Sequence, residues 1–133
     1  MRPSADLSSA AEREELSPSA IKEYRRICGK WKLTEDQQLS LLGGVASSTY
    51  HGWRGRPEGA KLDQDTLTRI SLVIGIYRAL HGYFGDPWAD TWVKNENRAP
   101  MFCGRSPVDY MIREGLPGLV QLRRLVEGWS AGH

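Results

Sequence analysis

The chain has only two cysteines, Cys28 and Cys103, which form neither a CxxC pair nor a metal-ligand spacing. Cys28 falls on the apolar side of a predicted helix, which favours a buried free thiol over a disulfide. The three histidines, His51, His81 and His133, show no HExxH or related spacing, so no metal site is expected. P-loop, GxGxxG and GxSxG signatures are absent. The carboxylates are scattered over polar helix faces, where solvated charge is their ordinary role. The expectation is a binding protein, neither an enzyme nor the holder of a cofactor. Long apolar runs are missing too. The best candidate, Leu72 to Tyr77, is short, holds Gly75 and is bracketed by Arg69 and Arg78. The N-terminal stretch MRPSADLSSAAEREELS lacks the apolar centre of a signal peptide. A soluble, cytoplasmic protein with no membrane partner is therefore expected.

A formal net charge of +2 is too small to identify a partner. Its distribution is more informative. Residues 18–60 carry seven basic and four acidic side chains, whereas residues 1–17 carry two and four. The basic excess therefore gathers where a phosphate-binding face would be needed.

What is present centres on Leu33 to Pro57, LTEDQQLSLLGGVASSTYHGWRGRP. Thr34 is an N-cap candidate with Gln37 three residues on, the spacing of a capping box. Leu39 and Leu42 fall on one helical face, and Gly43-Gly44 ends that helix because glycine enters the left-handed region without steric cost. A second short helix follows from about Ser47, with Tyr50 and Trp53 on one side and Ser47, Ser48, Thr49 and His51 on the other. Arg54 and Arg56 lie at its end. Two short helices, a glycine turn and an apolar seam beneath a polar second helix describe a helix-turn-helix. A plain α-hairpin shares the local pattern, but supporting helices are visible on both flanks.

The first 16 residues are polar and without strong periodicity, so a flexible tail is expected over 1–16. Ser17-Pro18 reads as N-cap and N1 of the first helix. Ile21, Tyr24, Cys28 and Trp31 then form a core stripe, with Lys22, Arg25 and Arg26 opposite. Asp63 caps the longest helix, which runs to about Tyr83, a rod of about 30 Å at 1.5 Å per residue. It has two apolar stripes. Leu67, Ile70, Tyr77, Leu80 and Phe84 belong to the first; Leu72, Ile76, Ala79 and Tyr83 form the second. A helix apolar on two sides is buried on two sides. The second stripe is the candidate homodimer face; cover by the C-terminal part of the same chain is the alternative. A short helix is expected from about Pro87 to Val93, then a loop anchored by Met101 and Phe102. Ser106-Pro107 starts another helix, Gly115 stops it, and Pro117 starts the last. The fold class is all-α. The division expected is a tail, a helix-turn-helix domain with its long helix over 17–84, and a small helical domain over 85–133.

The C-terminal run WVKNENRAPMFCGRSPVDYMIREGLPGLVQLRRLVEGW resembles the toxin-binding domain of the Xre/MbcA/ParS antitoxins. The matching residues are Trp92, Asn97, Ala99-Pro100, Phe102, Gly104-Arg105-Ser106-Pro107, Met111, Gly115 and Leu122-Arg123-Arg124. LDQDTLTRISLVIGIYRALHGYF is similar to that family's long helix, and WKLTEDQQLSLLGGVASSTYHGW to its Xre-type helix-turn-helix. The resemblance spans roughly residues 20–130. It implies an antitoxin of a type II toxin–antitoxin pair, partnered by a RES-type toxin that depletes NAD. The C-terminal domain would cover the toxin's active site, and the N-terminal domain would repress the shared operon. The reading that competes is a free-standing helix-turn-helix regulator whose C-terminal domain only dimerises.

The residues follow from both arguments. Ser47, Ser48, Thr49 and His51 are candidates for base edges, and Arg54 and Arg56 for phosphates. Lys22 and Arg26 are further phosphate candidates, although a solvated helix face explains them equally well. Gly52 departs from the family, which has a polar or basic side chain there; it also costs about 1 kcal/mol of helix propensity relative to Ala. Arg105, Arg123, Arg124 and Trp129 are the toxin-contact candidates. A chain ending at Arg113 is expected to keep its DNA-binding domain and lose neutralisation.

Overall fold

The computed structural model describes residues 6–131, and within them every regular element is helical. In chain order these are α1 (Ala10–Lys30), α2 (Glu35–Leu41), α3 (Ser47–Gly55), a single 3-10 turn (Pro57–Gly59), α4 (Gln64–Phe84), α5 (Trp88–Trp92) and α6 (Pro107–Ala131). None is long and apolar enough to cross a membrane.

The first helix begins earlier than its sequence suggests. Ser9 is the N-cap, its side chain accepting from the Glu12 N–H at 3.4 Å, and the helix continues through Pro18. Ser17-Pro18 is thus a mid-helix pair, and the expected tail is already helical from Ala10; residues 1–5 lie outside the described residues. Two features make this possible. The carbonyl that Pro18 leaves unpaired belongs to Glu14, which is exposed and open to water. Ser17 is buried and serves as a tie, its hydroxyl donating to Arg13 O at 2.6 Å and accepting from the Leu62 N–H at 3.0 Å. That link reaches the strap leading into α4, a partner no local pattern could reveal.

The next boundaries agree with the sequence reading. Thr34 and Gln37 form both halves of the capping box, at 3.2 and 2.9 Å. Gly43 and Gly44 both take positive φ, and their N–H groups close the end of α2 on Ser40 O and Leu39 O. Asp63 caps α4 through the Thr66 N–H at 2.8 Å, and Ser106 caps α6 through the Asp109 N–H at 3.1 Å. Gly115, at φ 66°, breaks α6 where a stop was expected. α5 is shorter than expected by a residue at each end.

α4 is the wall between the two halves. Leu67, Ile70, Val73, Ile76 and Leu80 are fully buried, and α1, α5 and α6 all pack on it. Much of the stripe expected to be a dimer face packs within the chain, while its end at Tyr83 stays 43% exposed. Ile76 is inaccessible, Leu72 and Ala79 are half-buried against the core, and Tyr83 stacks on Trp129 of α6 at 5.2 Å. Two turns earlier a Cβ at Gly75 would lie 2.7 Å from Arg123 Nε, so glycine is what lets that guanidinium lie against α4. The buried side chains, from Ala20 to Val126, form one continuous core. Cys28 sits within it as a free thiol, which burial pushes up to about 12, so it stays protonated; Cys103 is free and exposed.

This packing changes what a truncation does. A chain ending at Arg113 lacks Leu119, Leu122 and Val126, all fully buried. Each such side chain contributes about 1.5–3 kcal/mol by burial, so the loss is comparable to a total stability of about 5–15 kcal/mol. The truncated chain is expected to lose its cooperative thermal transition in circular dichroism. A melt like that of the intact protein would contradict the shared core.

Candidate nucleic-acid interface and partner-binding face

The orientation of α3 is set by one side chain on α2. Gln38 accepts the Tyr24 hydroxyl of α1 on its backbone oxygen and the Tyr50 hydroxyl of α3 on Oε1, both at 2.6 Å. Its amide nitrogen donates to Leu33 O at 3.0 Å. Tyr24 and Tyr50 are buried, and burial pushes both phenols well above their ordinary range, so they remain neutral donors. Trp53, half-buried, meets Tyr50 edge-on at 6.3 Å. These contacts pin one side of α3 and leave the other to solvent.

Ser47, Ser48, Thr49, His51, Arg54 and Arg56 are all exposed, together on or just after α3 as the sequence suggests. Gly52 lies among them with open space where a side chain would be. The sequence reading missed Glu35. Its carboxylate, in the first turn of α2, pairs with His51 Nε2 at 2.7 Å and accepts from Ser47 Oγ at 3.3 Å. Glu35 therefore occupies two of the six polar side chains. An acid in a first helical turn is favourable for the helix on its own account, so nothing local marks this one.

α1 contributes differently from expectation. Arg26 is turned away from α3: it forks onto Glu23 at 2.6 and 3.1 Å, reaches the Tyr77 hydroxyl at 3.4 Å and lies 5.1 Å from that ring's centre. The hydrogen bond from Arg26 holds the Glu23 carboxyl below the usual carboxylate range. These partners engage Arg26 within the chain, although its side chain stays 47% exposed. Lys22, one turn earlier, is exposed. Arg25 is the basic residue beside α3: its charge works against the upward shifts at Tyr50 and Cys28, and its Nε is buried without a partner.

In the C-terminal half, the loop after α5 closes on itself. Asn97 N–H donates to Arg105 O and Gly104 N–H to Asn97 O, at 3.0 and 3.1 Å, and Phe102 is buried as expected, with Met101 half-buried. Arg105 is exposed on the rim of a cavity of about 180 Å³ that it shares with Arg113, Glu114 and Tyr110. Arg124 is exposed. Arg123 is partly committed, lying over Gly75 and pairing with Glu127 at 3.3 Å. Trp129 is not a free end. It packs among Tyr83, Phe84 and Trp92 with ring centres 5.2 to 5.8 Å apart, because α6 runs far enough along α4 to bring it there. In this structure it packs half-buried against the core rather than standing free as a mobile end.

Two substitutions test the α3 face. Arg54→Ala with Arg56→Ala is expected to weaken binding to the protein's own promoter across sequences, and to flatten its salt dependence by about one unit of slope per lost phosphate contact. Unchanged affinity and slope in a gel-shift series would refute the assignment. Glu35→Ala is expected to do the opposite. It frees His51 and Ser47 and removes a carboxylate facing the phosphates, so affinity should rise severalfold at low salt and the gain should shrink as salt screens it. Weaker binding would show instead that Glu35 serves to aim His51.

Residues 10–75 match the sequence profile of the antitoxin Xre-like helix-turn-helix domain, which takes in α1 to α3 and half of α4. The chain is also 29% identical over 116 residues to the uncharacterized protein y4oB of Sinorhizobium fredii, covering 86% of this chain and 87% of that one. No solved structure matches it significantly. Residues 10–75, with their capped α2, glycine turn and exposed α3, form a helix-turn-helix domain of the antitoxin Xre-like type.

Proposed function

We propose that the protein is the antitoxin of a type II pair, neutralising a RES-type toxin that depletes NAD and repressing their shared operon by DNA binding. The observation that carries the reading is the antitoxin-type domain over residues 10–75, continuous in one core with a C-terminal half that no helix-turn-helix requires. The α3 face supplies Ser48 and Thr49 for base edges and Arg54 and Arg56 for phosphates, with Ser47 and His51 available once released from Glu35. On α1, Arg25 lies beside Tyr50 of α3, and the exposed Lys22 and Arg26 are further candidate phosphate contacts. Toxin contact falls to the C-terminal half, where Arg105 and Arg124 are exposed and Arg123 is available in part. Guanidinium groups at such positions suit carboxylate partners and pockets built for anionic ligands. Binding, rather than catalysis, accounts for all of these residues.

Operator binding in this reading uses a homodimer, since paired reading heads about one DNA turn apart match palindromic half-sites. On the α4 stripe only the exposed end at Tyr83 is open to such a dimer, since Ile76 is buried and Leu72 and Ala79 pack against the core. A C-terminal half built into the same core favours this reading over the competing one, in which that half serves only dimerisation.

The test is a search for a RES-type reading frame beside the one that encodes this chain, and co-expression with its product. Growth is expected to be arrested by the toxin alone and restored by the pair, and the two proteins are expected to co-purify. Arrest that persists with the full chain present, or the lack of any neighbouring RES-type reading frame, would overturn the proposal.

A further inference from the structure

α5 carries a surface that the roles above leave unused. On one side of it a cavity of about 430 Å³ is walled by Lys30 and Lys32 at the end of α1 and by Lys94 just after α5. On the other side a depression of about 280 Å³ is lined by Phe84, Trp88 and Trp92. The two share Thr91 and Asn95, so they adjoin across the short helix and together make one grooved surface.

Its chemistry is uneven in a telling way. Trp88 is 67% exposed, whereas Phe84 and Trp92 pack on one another and on Trp129. A tryptophan held open to water beside a groove is the residue type that most often anchors a protein interface. The three lysines have no carboxylate partner among the described residues; Lys94 Nζ donates only to Lys32 O, at 3.2 Å. The one acid in the cavity wall, Asp90, is engaged by His81 Nε2 at 2.9 Å, and Asp86 closes on the other ring nitrogen. The cavity wall thus carries three lysines against one aspartate, a net positive charge next to an apolar shelf. Trp31, also in its wall, has a buried indole N–H without an acceptor.

We infer that this groove docks an acidic segment of the toxin, with an apolar or aromatic side chain on the Trp88 shelf and carboxylates on Lys30, Lys32 and Lys94. The inference rests on the reading that this chain neutralises a protein toxin, and it names where part of that contact falls. Charge decides between the possible occupants. A second copy meeting this surface about a two-fold axis would set the lysine trio against itself. A nucleic-acid strand would want cations spaced along a track with several open rings, and here the cations are clustered at one end with a single open ring. An acidic, apolar peptide surface satisfies both parts at once.

The test uses the full chain in capture of the co-expressed neighbouring RES-type protein. Trp88→Ala and the pair Lys32→Glu, Lys94→Glu are each expected to weaken capture about tenfold while leaving helicity and promoter binding unchanged. The charge pair should also reduce the salt dependence of capture. If the wild-type chain captures no toxin, this inference and the proposed function fall together. If it does and both variants capture equally well, the groove is not the docking site and the proposed function stands. Loss of binding to an oligo-dT probe by Trp88→Ala, with toxin capture intact, would assign the groove to nucleic acid. A drop in oligomeric mass by light scattering with capture intact would assign it to a second copy. Either result overturns the inference.

Discussion

Everything in this molecule depends on keeping α4 out of water. Its apolar side chains run around most of its circumference, and Leu67, Ile70, Val73, Ile76 and Leu80 cannot all face one neighbour. A helix of that kind is stable only when wrapped. α1 takes one flank and α6 another, while α5 closes the end. The helix-turn-helix half and the C-terminal half therefore stabilise each other through a shared wall, and neither behaves as an appendage.

The aromatic cluster at the far end of α4 shows the same constraint in detail. Phe84, Trp92, Phe102 and Trp129 meet at ring-centre distances of 5.3 to 6.0 Å, drawn from α4, α5, the following loop and α6. Four segments thus share one patch of buried surface. Edge-on rings of this kind contribute about 0.5–1.5 kcal/mol per pair beyond their burial. The cluster explains why Trp129 is tied down, and it leaves Trp88 as the ring from this region most open to solvent.

In the helix-turn-helix the decisive contacts are polar. Gln38 joins three helices through Tyr24, Tyr50 and Leu33 O, and this fixes which residues of α3 face outward. On that outward face Glu35 sits where a phosphate-binding protein has least use for a carboxylate. Its engagement of Ser47 and His51 ties two side chains of that face to an internal partner.

Helix ends and class were legible in the sequence because they depend on neighbours three or four residues away. The Thr34–Gln37 box, the Gly43-Gly44 stop, the Asp63 and Ser106 caps and the Gly115 break all follow from local backbone geometry. The exposed row from Ser47 to Arg56 was legible for the same reason, as the polar side of a short amphipathic helix. Only tertiary structure could decide the rest, since it depends on residues far apart in the chain. Arg26 gained a hydroxyl partner in Tyr77, 51 residues away, that no local pattern could name. Ser17 looked like a cap until Leu62, 45 residues on, gave it a buried partner that carried α1 back to Ala10. Ile76 belonged to a stripe in need of cover, and periodicity states that need without naming what meets it. Amphipathic pattern is a property of one helix; the choice among possible covers is made by the packing of all of them.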